Sequence, residues 1–453
     1  MLLSPPSGAL ELLEALNRAG HQAWLVGGCV RDALLGIPPK DWDICTSALP
    51  EEMQRVFAGR RVIETGLKHG TLTVLADGVP YEITTFRTDG SYTDHRHPDG
   101  VTFVNDLRED LSRRDFTVNA MAWHPGEGLV DLFHGQEDLK EGIIRCVGEP
   151  EKRFDEDALR ILRALRFAAV YDFQVEEATA RAALKLRDTL PLVAGERIRT
   201  ELGKLLCGRA AGAILRRFRE IIAVILPEVR PSFDFDQRTP YHRWDVWEHS
   251  IRALEAAPPT EVLRMTMLLH DSGKPACFTL DEKGIGHAYG HGKRSRQLAE
   301  GVMDRLHYDN ASRERILELV ECHDIELRPE APILRRRLNR FGEEGLRQLI
   351  QVQRADSLAK GTLDLREVED WVSGLEAALE EILREDSCFS LKQLAIKGND
   401  LTALGLRGPA VGQTLGQLLE LVMDGKAENT REALLKEADR IIRIMKEEKA
   451  SDL

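Results

Sequence analysis

Gly27-Gly28-Cys29-Val30-Arg31-Asp32, followed at Asp41-Trp42-Asp43 by two aspartates one residue apart, is the stretch on which the fold of this chain turns. Gln22 to Val26 reads as a short apolar strand running into a Gly-Gly turn, and Val30 to Leu35 as a helix closed by Gly36. Pro38-Pro39 breaks the chain before the next element, so Asp41 to Thr46 is expected to be a strand that holds Asp41 and Asp43 on one face. Two carboxylates converging where divalent cations can sit are a phosphoryl-transfer signature. Gly27 and Gly28 strengthen it by letting backbone amides approach a phosphate, and Arg31 adds a fork of donors.

Two metals bridging a triphosphate and an attacking hydroxyl call for a third carboxylate. Glu82, in the β-branched and aromatic run Tyr81-Glu82-Ile83-Thr84-Thr85-Phe86-Arg87, is the candidate if that strand lies beside the aspartate strand. A solvent-facing Glu on an edge strand is an equal alternative. Downstream, Leu111-Ser112-Arg113-Arg114-Asp115-Phe116-Thr117-Val118-Asn119-Ala120 carries two arginines and an aspartate at the entry to an expected short apolar helix, suited to phosphate or ribose. In Glu156-Asp157-Ala158-Leu159-Arg160-Ile161-Leu162-Arg163-Ala164-Leu165-Arg166-Phe167, helical spacing puts Asp157, Arg160 and Arg163 along one face and Leu159, Leu162, Leu165 and Ala169 towards a core. Asp157 and Arg160 offer the acceptors and donors needed to read the edge of a base; the alternative is a helical ion pair of little energetic worth.

These blocks, in this order, resemble the class II tRNA nucleotidyltransferase and poly(A) polymerase family. Gly195-Glu196-Arg197-Ile198-Arg199-Thr200-Glu201-Leu202 is similar to that family's element behind the nucleotide site. The resemblance covers roughly the first half of the chain. It implies template-independent addition of nucleotides to an RNA 3′ end, most often the terminal CCA of tRNA, with CTP and ATP as substrates, Mg2+ at Asp41 and Asp43, and pyrophosphate released. It also implies that Asp157 and Arg160 select the base, with Gly28, Arg31, Arg114, Arg163 and Arg166 around the nucleotide and Gly27, Asp32, Asp115 and Asn119 completing the same motifs. The polar segment Arg87 to Asp99 reads as a loop that is shortened in relatives adding only two cytidines; here it looks intact, which favours full CCA addition or addition of the terminal A alone. Poly(A) polymerase is disfavoured by the acidic tail. A signalling-nucleotide synthetase and hydrolase, and a non-catalytic RNA-binding protein, are the rival classes.

A second constellation begins after Pro240: His249, His270-Asp271 followed by Ser272-Gly273-Lys274, His291, and His323-Asp324. Imidazoles mixed with carboxylates suit Mn, Fe, Ni, Co or Mg, and no cysteine pair at ligand spacing competes. The set resembles an HD-type metal phosphohydrolase domain. By that resemblance His249, His270, Asp271 and Asp324 take the four ligand positions and His291 an accessory one, holding a divalent transition metal or Mg2+ for hydrolysis of a phosphate ester on damaged or processed RNA ends.

The rest of the composition is that of a large globular chain. At 453 residues more than one domain is expected, and 43% apolar with 30% charged residues is ordinary. No apolar run approaches the roughly 20 residues of a membrane span and no signal-type core opens the chain, so a cytoplasmic protein with no membrane association is expected. The seven cysteines have no motif spacing and read as reduced core thiols. Net charge is −13, yet Arg145 to Arg219 is locally basic and Arg335-Arg336-Arg337 forms a second basic spot, both candidates for a tRNA backbone. No feature calls for a protein partner. The expected class is α+β. A nucleotidyltransferase head with a small mixed sheet spans 1–146 and a helical neck with the base-selecting helix spans 147–230. The HD-type domain takes 241–341 and a helical tail for tRNA binding 342–453.

Overall fold

The computed structural model describes residues 3–90, 100–385 and 388–451. Its contacts divide into two units: Met1–Arg230 with Pro259–Glu261 and Gly301–Asp309, and Pro231–Pro258 with Val262–Glu300 and Asn310–Leu453. The class is α+β, as expected.

The first unit is organised by a sheet of Ala23–Val26 (β1), Ile44–Thr46 (β2), Val62–Gly66 (β3), Thr71–Ala76 (β4), Val79–Thr85 (β5), Met121–His124 (β6) and Gly128–Asp131 (β7), in the order β3-β4-β5-β2-β1-β6-β7. All four residues of β1 are buried, which suits a central strand covered on both faces. Its neighbours run antiparallel to it, whereas β2 pairs in parallel with β5 through Ile44↔Ile83, Cys45↔Thr84 and Thr46↔Thr85. The sheet is therefore mixed. Gly27, at φ 79°, makes the turn from β1 into the Gly28–Leu34 helix.

Three local expectations are adjusted. The aspartate strand starts at Ile44, the first of three buried residues, and Asp41 and Asp43 lie in the segment leading into it, where the Asp43 carbonyl accepts from Val26 N at 3.0 Å. After Asp115 the chain forms a single 3-10 turn, Thr117–Asn119, and then β6 in place of a short helix. A brief apolar run is compatible with either state, and pairing on both sides of Met121–His124 decides it. Asp157 is extended (φ −141°, ψ 105°), at a break between the Pro150–Glu156 and Leu159–Tyr171 helices. Leu159, Leu162, Leu165 and Ala169 are buried as the helical spacing predicts. The Arg87–Asp89 and Val101–Phe103 strands pair as a hairpin, while 91–99, the greater part of the loop that bears on CCA addition, lies outside the described residues.

The second unit is mainly helical. Its longest element, Ala331–Ala359, bends at Gly342, where φ is 67°. The C-terminal segment has its own cluster of buried side chains, among them Leu394, Ile396, Leu418 and Leu434. The second basic spot is engaged within this unit: Arg336 pairs with Glu420 at 3.1 Å and with Asp424, and Arg337 donates to the Glu326 carbonyl. In the first unit several members of the basic stretch are likewise paired, Arg181 and Arg217 with Glu177 and Lys185 with Glu151. Among the described residues no helix is long and apolar enough to cross a membrane.

Candidate functional site

In the first unit the parallel pairing of β2 and β5, carried one residue back from Ile44↔Ile83, sets Glu82 alongside Asp43. Burial, then Glu82 and Asp41, push the Asp43 carboxyl up to about 6 against the opposing pull of Arg114. That surplus of negative charge is what a divalent cation relieves, so the donors at Asp41, Asp43 and Glu82 fit Mg2+. Asp41 and Asp43 line a cavity of about 920 Å3 with Gly28, Arg31, Asp32, Arg166 and Lys204. Glu82 is exposed at its strand.

The surrounding motif residues are braced against each other. Arg31, 6% exposed, donates to Asp32 at 2.9 Å and to Asn119, and its guanidinium lies over Phe167 and Tyr171 at 4.9 and 4.8 Å. Asp32 also accepts from Tyr171 Oη at 2.8 Å. Arg114 is held by the buried Asp110 at 3.2 Å, and a Cβ on Gly27 would come within 3.0 Å of its Nη1. Glycine at 27 thus serves both the positive φ and the close approach of Arg114.

Asp115 is turned inward. Its Oδ2 accepts from Arg163 Nη2 at 2.6 Å and its Oδ1 from Asn119 Nδ2 at 3.0 Å, and these partners overcome burial to hold its carboxyl well below the usual range. Arg166 pairs with Glu201. Arg160 N donates to the Asp157 carbonyl at 2.9 Å, and their side chains take other partners: Asp157 Oδ2 takes Arg197 at 3.1 Å while its Oδ1 caps Leu159 N, and Arg160 pairs with Glu156 at 2.6 Å and donates to the Arg113 carbonyl. Asp110 and Tyr171 join the site from outside the quoted motif blocks, where only tertiary pairing reveals them, whereas Arg197 and Glu201 come from the Gly195 to Leu202 element read as lying behind the nucleotide site.

In the second unit two groups of donors share one residue: His249, His270, Asp271 and Asp356, and Asp271, His291 and His323. His249 Nε2 lies 3.3 Å from Asp271 Oδ2 and 3.0 Å from Asp356 Oδ1, and His291 Nε2 lies 3.2 Å from Asp271 Oδ1. His270, His291 and His323 each place Nδ1 against a backbone carbonyl three residues back, at 2.8, 2.9 and 2.8 Å. Donation from Nδ1 leaves Nε2 as a lone pair. In the neutral rings His291 Nε2 and His323 Nε2 then face one another lone pair to lone pair at 3.0 Å, an arrangement that calls for a proton or a metal cation between them. Burial lowers His270, but Asp271 and Asp356 more than reverse this and push it up to about 9. Donor chemistry and tautomers thus fit divalent metals.

Asp324, expected as a ligand, stands outside both groups and is exposed, and Asp356 completes the first group in its place. Residues 323 and 324 follow the Asn310–Cys322 helix end, where neighbours point in different directions, so only His323 turns inward. The sign of Asp356 in the sequence is a carboxylate among the buried-face positions Leu349, Val352 and Ala355 of a helix. Lys274 Nζ lies 2.7 Å from Asp271 Oδ2, and Lys360 Nζ 2.9 Å from Asp356 Oδ2.

Comparison with known proteins agrees with the head. Residues 23–145 match the Poly A polymerase head domain, 172–232 the RNA and SrmB-binding site of polymerase A, and 294–438 the tRNA nucleotidyltransferase domain 2. The chain is 50% identical over 210 residues to the CCA-adding enzyme of Ligilactobacillus salivarius, spanning 46% of this chain and 52% of that one. It is 34% identical over 432 residues to the CCA-adding enzyme of Lactobacillus delbrueckii subsp. bulgaricus, covering 94% and 96% of the two chains. A crystal structure of the Bacillus stearothermophilus CCA-adding enzyme in complex with CTP superposes with a TM-score of 0.72 at 29% identity, covering 98% of this chain and all of the other. Similarity sustained along nearly the whole length, with the paired aspartates at the head of the sheet, means that the chain belongs to the CCA-adding enzyme family.

Proposed function

We propose that this protein adds nucleotides without a template to the 3′ end of tRNA, completing CCA from CTP and ATP with release of pyrophosphate. The observation that carries the reading is the charge cluster of Asp41, Asp43 and Glu82, whose two aspartates line a cavity with Gly28, Arg31 and Arg166, in a chain alignable over 94% of its length with a CCA-adding enzyme and similar in fold to one crystallised with CTP. Asp41 and Asp43 would hold Mg2+, which when bound would supply positive charge for the triphosphate and for the attacking hydroxyl. The chain's own part is positioning. Asp32 and Asn119 orient Arg31, Asp110 orients Arg114, and Asp115 ties both motif blocks to the Leu159–Tyr171 helix. Asp157 and Arg160 are the base-reading pair in this proposal, and Arg197 and Glu156 hold them in place. With tRNAs ending before the CCA, after one C and after two, and CTP, ATP or both supplied, sequencing of the 3′ ends is expected to show all three completed to CCA. Extension of only the two-cytidine substrate would reduce the activity to A addition.

The His/Asp groups of the second unit support a metal-dependent phosphohydrolase, with His249, His270, Asp271 and Asp356 in one set of donors and His291 and His323 in the other. These residues would hold a divalent transition metal or Mg2+, which when bound would supply the positive charge that polarises a phosphate ester. Substituting His270→Ala together with Asp271→Ala is expected to remove phosphate-ester hydrolysis and to leave tRNA extension at the wild-type rate. Equal loss of both reactions would refute two separate sites.

A further inference from the structure

The Gly286–His291 segment brings an aromatic pair to the same cavity as one of the metal-type histidines. Thr279–Leu280 and Gly286–His287 form a hairpin whose turn is fixed by Asp281, which accepts from Lys283 N and Ile285 N and holds His287 Nε2 at 3.3 Å. The His287 ring is stacked on Tyr289, with centroids 5.2 Å apart and planes within 6°. Tyr289 is 79% exposed, so the stack serves no core. Two residues on, His291 Nδ1 meets the Ala288 carbonyl at 2.9 Å and its Nε2 faces Asp271.

Both rings and His291 line a cavity of about 310 Å3, which also receives Lys274, Tyr241 and Asp324. Its ends differ in chemistry. Tyr241 and Tyr289 are wide open to solvent, whereas Lys274 is 9% exposed and sits against Asp271. Flat aromatic surface at the mouth, with a buried cation and metal-type donors at the depth, matches a ligand with a planar ring at one end and a phosphate at the other.

We infer that the His287–Tyr289 stack is a platform for a nucleobase, so that the cavity takes a nucleoside phosphate with its phosphate directed to the His/Asp groups. The identity of the site as a phosphohydrolase rests on the reading above; binding of the base does not. Every base has a π-face, so the platform favours nucleotides over base-free phosphate esters without selecting one base.

The test uses the full chain loaded with Mn2+ and measures binding of adenosine 3′-monophosphate and of inorganic phosphate by titration calorimetry, alongside hydrolysis of p-nitrophenyl phosphate. Tyr289→Ala is expected to weaken nucleotide binding about tenfold, within the range of base–aromatic stacking, with inorganic phosphate bound as before. Tyr289→Phe is expected to bind the nucleotide as the wild type does. Binding at the head cavity is common to all variants and cancels in the comparison. Undiminished nucleotide affinity in Tyr289→Ala and His287→Ala overturns the inference, as does an equal loss for nucleotide and phosphate. A wild-type protein that binds the nucleotide through Tyr289 yet fails to hydrolyse p-nitrophenyl phosphate upholds the platform and defeats the hydrolase.

Discussion

Asp43→Asn is expected to slow tRNA extension by about a thousandfold, the order of effect that several kcal/mol of lost cation-mediated charge stabilisation produces. The same substitution is expected to stabilise the metal-free protein. Burial and then Glu82 push the Asp43 carboxyl up to about 6, above the ~3.9 of an unfolded aspartate. The folded state therefore binds that proton more tightly, and stability falls as pH rises from about 4 through about 6. Asparagine escapes this loss, so in EDTA at pH 8 the variant's urea midpoint should exceed that of the wild type, while at pH 4 the two should agree. Mg2+ should raise the wild-type midpoint and move the variant little. Activity and stability shifting in opposite directions mark a residue that is held in an unfavourable field for function. A variant equally destabilised at pH 5 and pH 8 would refute that field.

The second large effect concerns Asp115. Asp115→Ala should lower the unfolding free energy by roughly 1.5–3 kcal/mol, the usual worth of hydrogen bonds to a charged group, here one that keeps Glu201 at 3.8 Å. That charge is Arg163, which donates to Asp115 through Nε and Nη2. Here the folded carboxyl lies well below its ordinary value, so the sign is opposite to that of Asp43. The contribution is complete above the unfolded value of about 4 and disappears as pH falls below it. The gap in urea midpoint between wild type and variant should hold steady from pH 8 to about pH 5 and narrow beneath pH 4. A gap independent of pH down to the acid transition would show that the variant loses packing and not a charge pair.

Much of the head was legible because its chemistry is local. Gly27-Gly28, Asp41 and Asp43 are near neighbours in sequence, and β5 needed only its β-branched pattern to be placed. The errors came where long-range pairing overrules short-range pattern. Met121–His124 became a strand because β1 and β7 flank it, and Asp157 left the helical face because the chain breaks there. Likewise Asp324 was given a ligand position by the resemblance to HD-type domains, whereas the carboxylate grouped with His249, His270 and Asp271 is Asp356, on the Ala331–Ala359 helix. No local signal links residue 271 to residue 356. Their meeting depends on packing between helices.

The parallel pairing of β2 with β5 also bears on how this site comes into being. Adjacent parallel strands cannot be closed by a tight turn, and here the connection between them carries the Pro50–Val56 helix and the β3–β4 hairpin. Forming it costs loop-closure entropy before any contact rewards it, which makes such pairings slow steps of folding. Asp43 and Glu82 stand on opposite sides of that closure. The three-carboxylate cluster is therefore complete only after the slow step: a half-folded head has its glycine turn, Asp41 and Asp43 yet lacks Glu82 beside them.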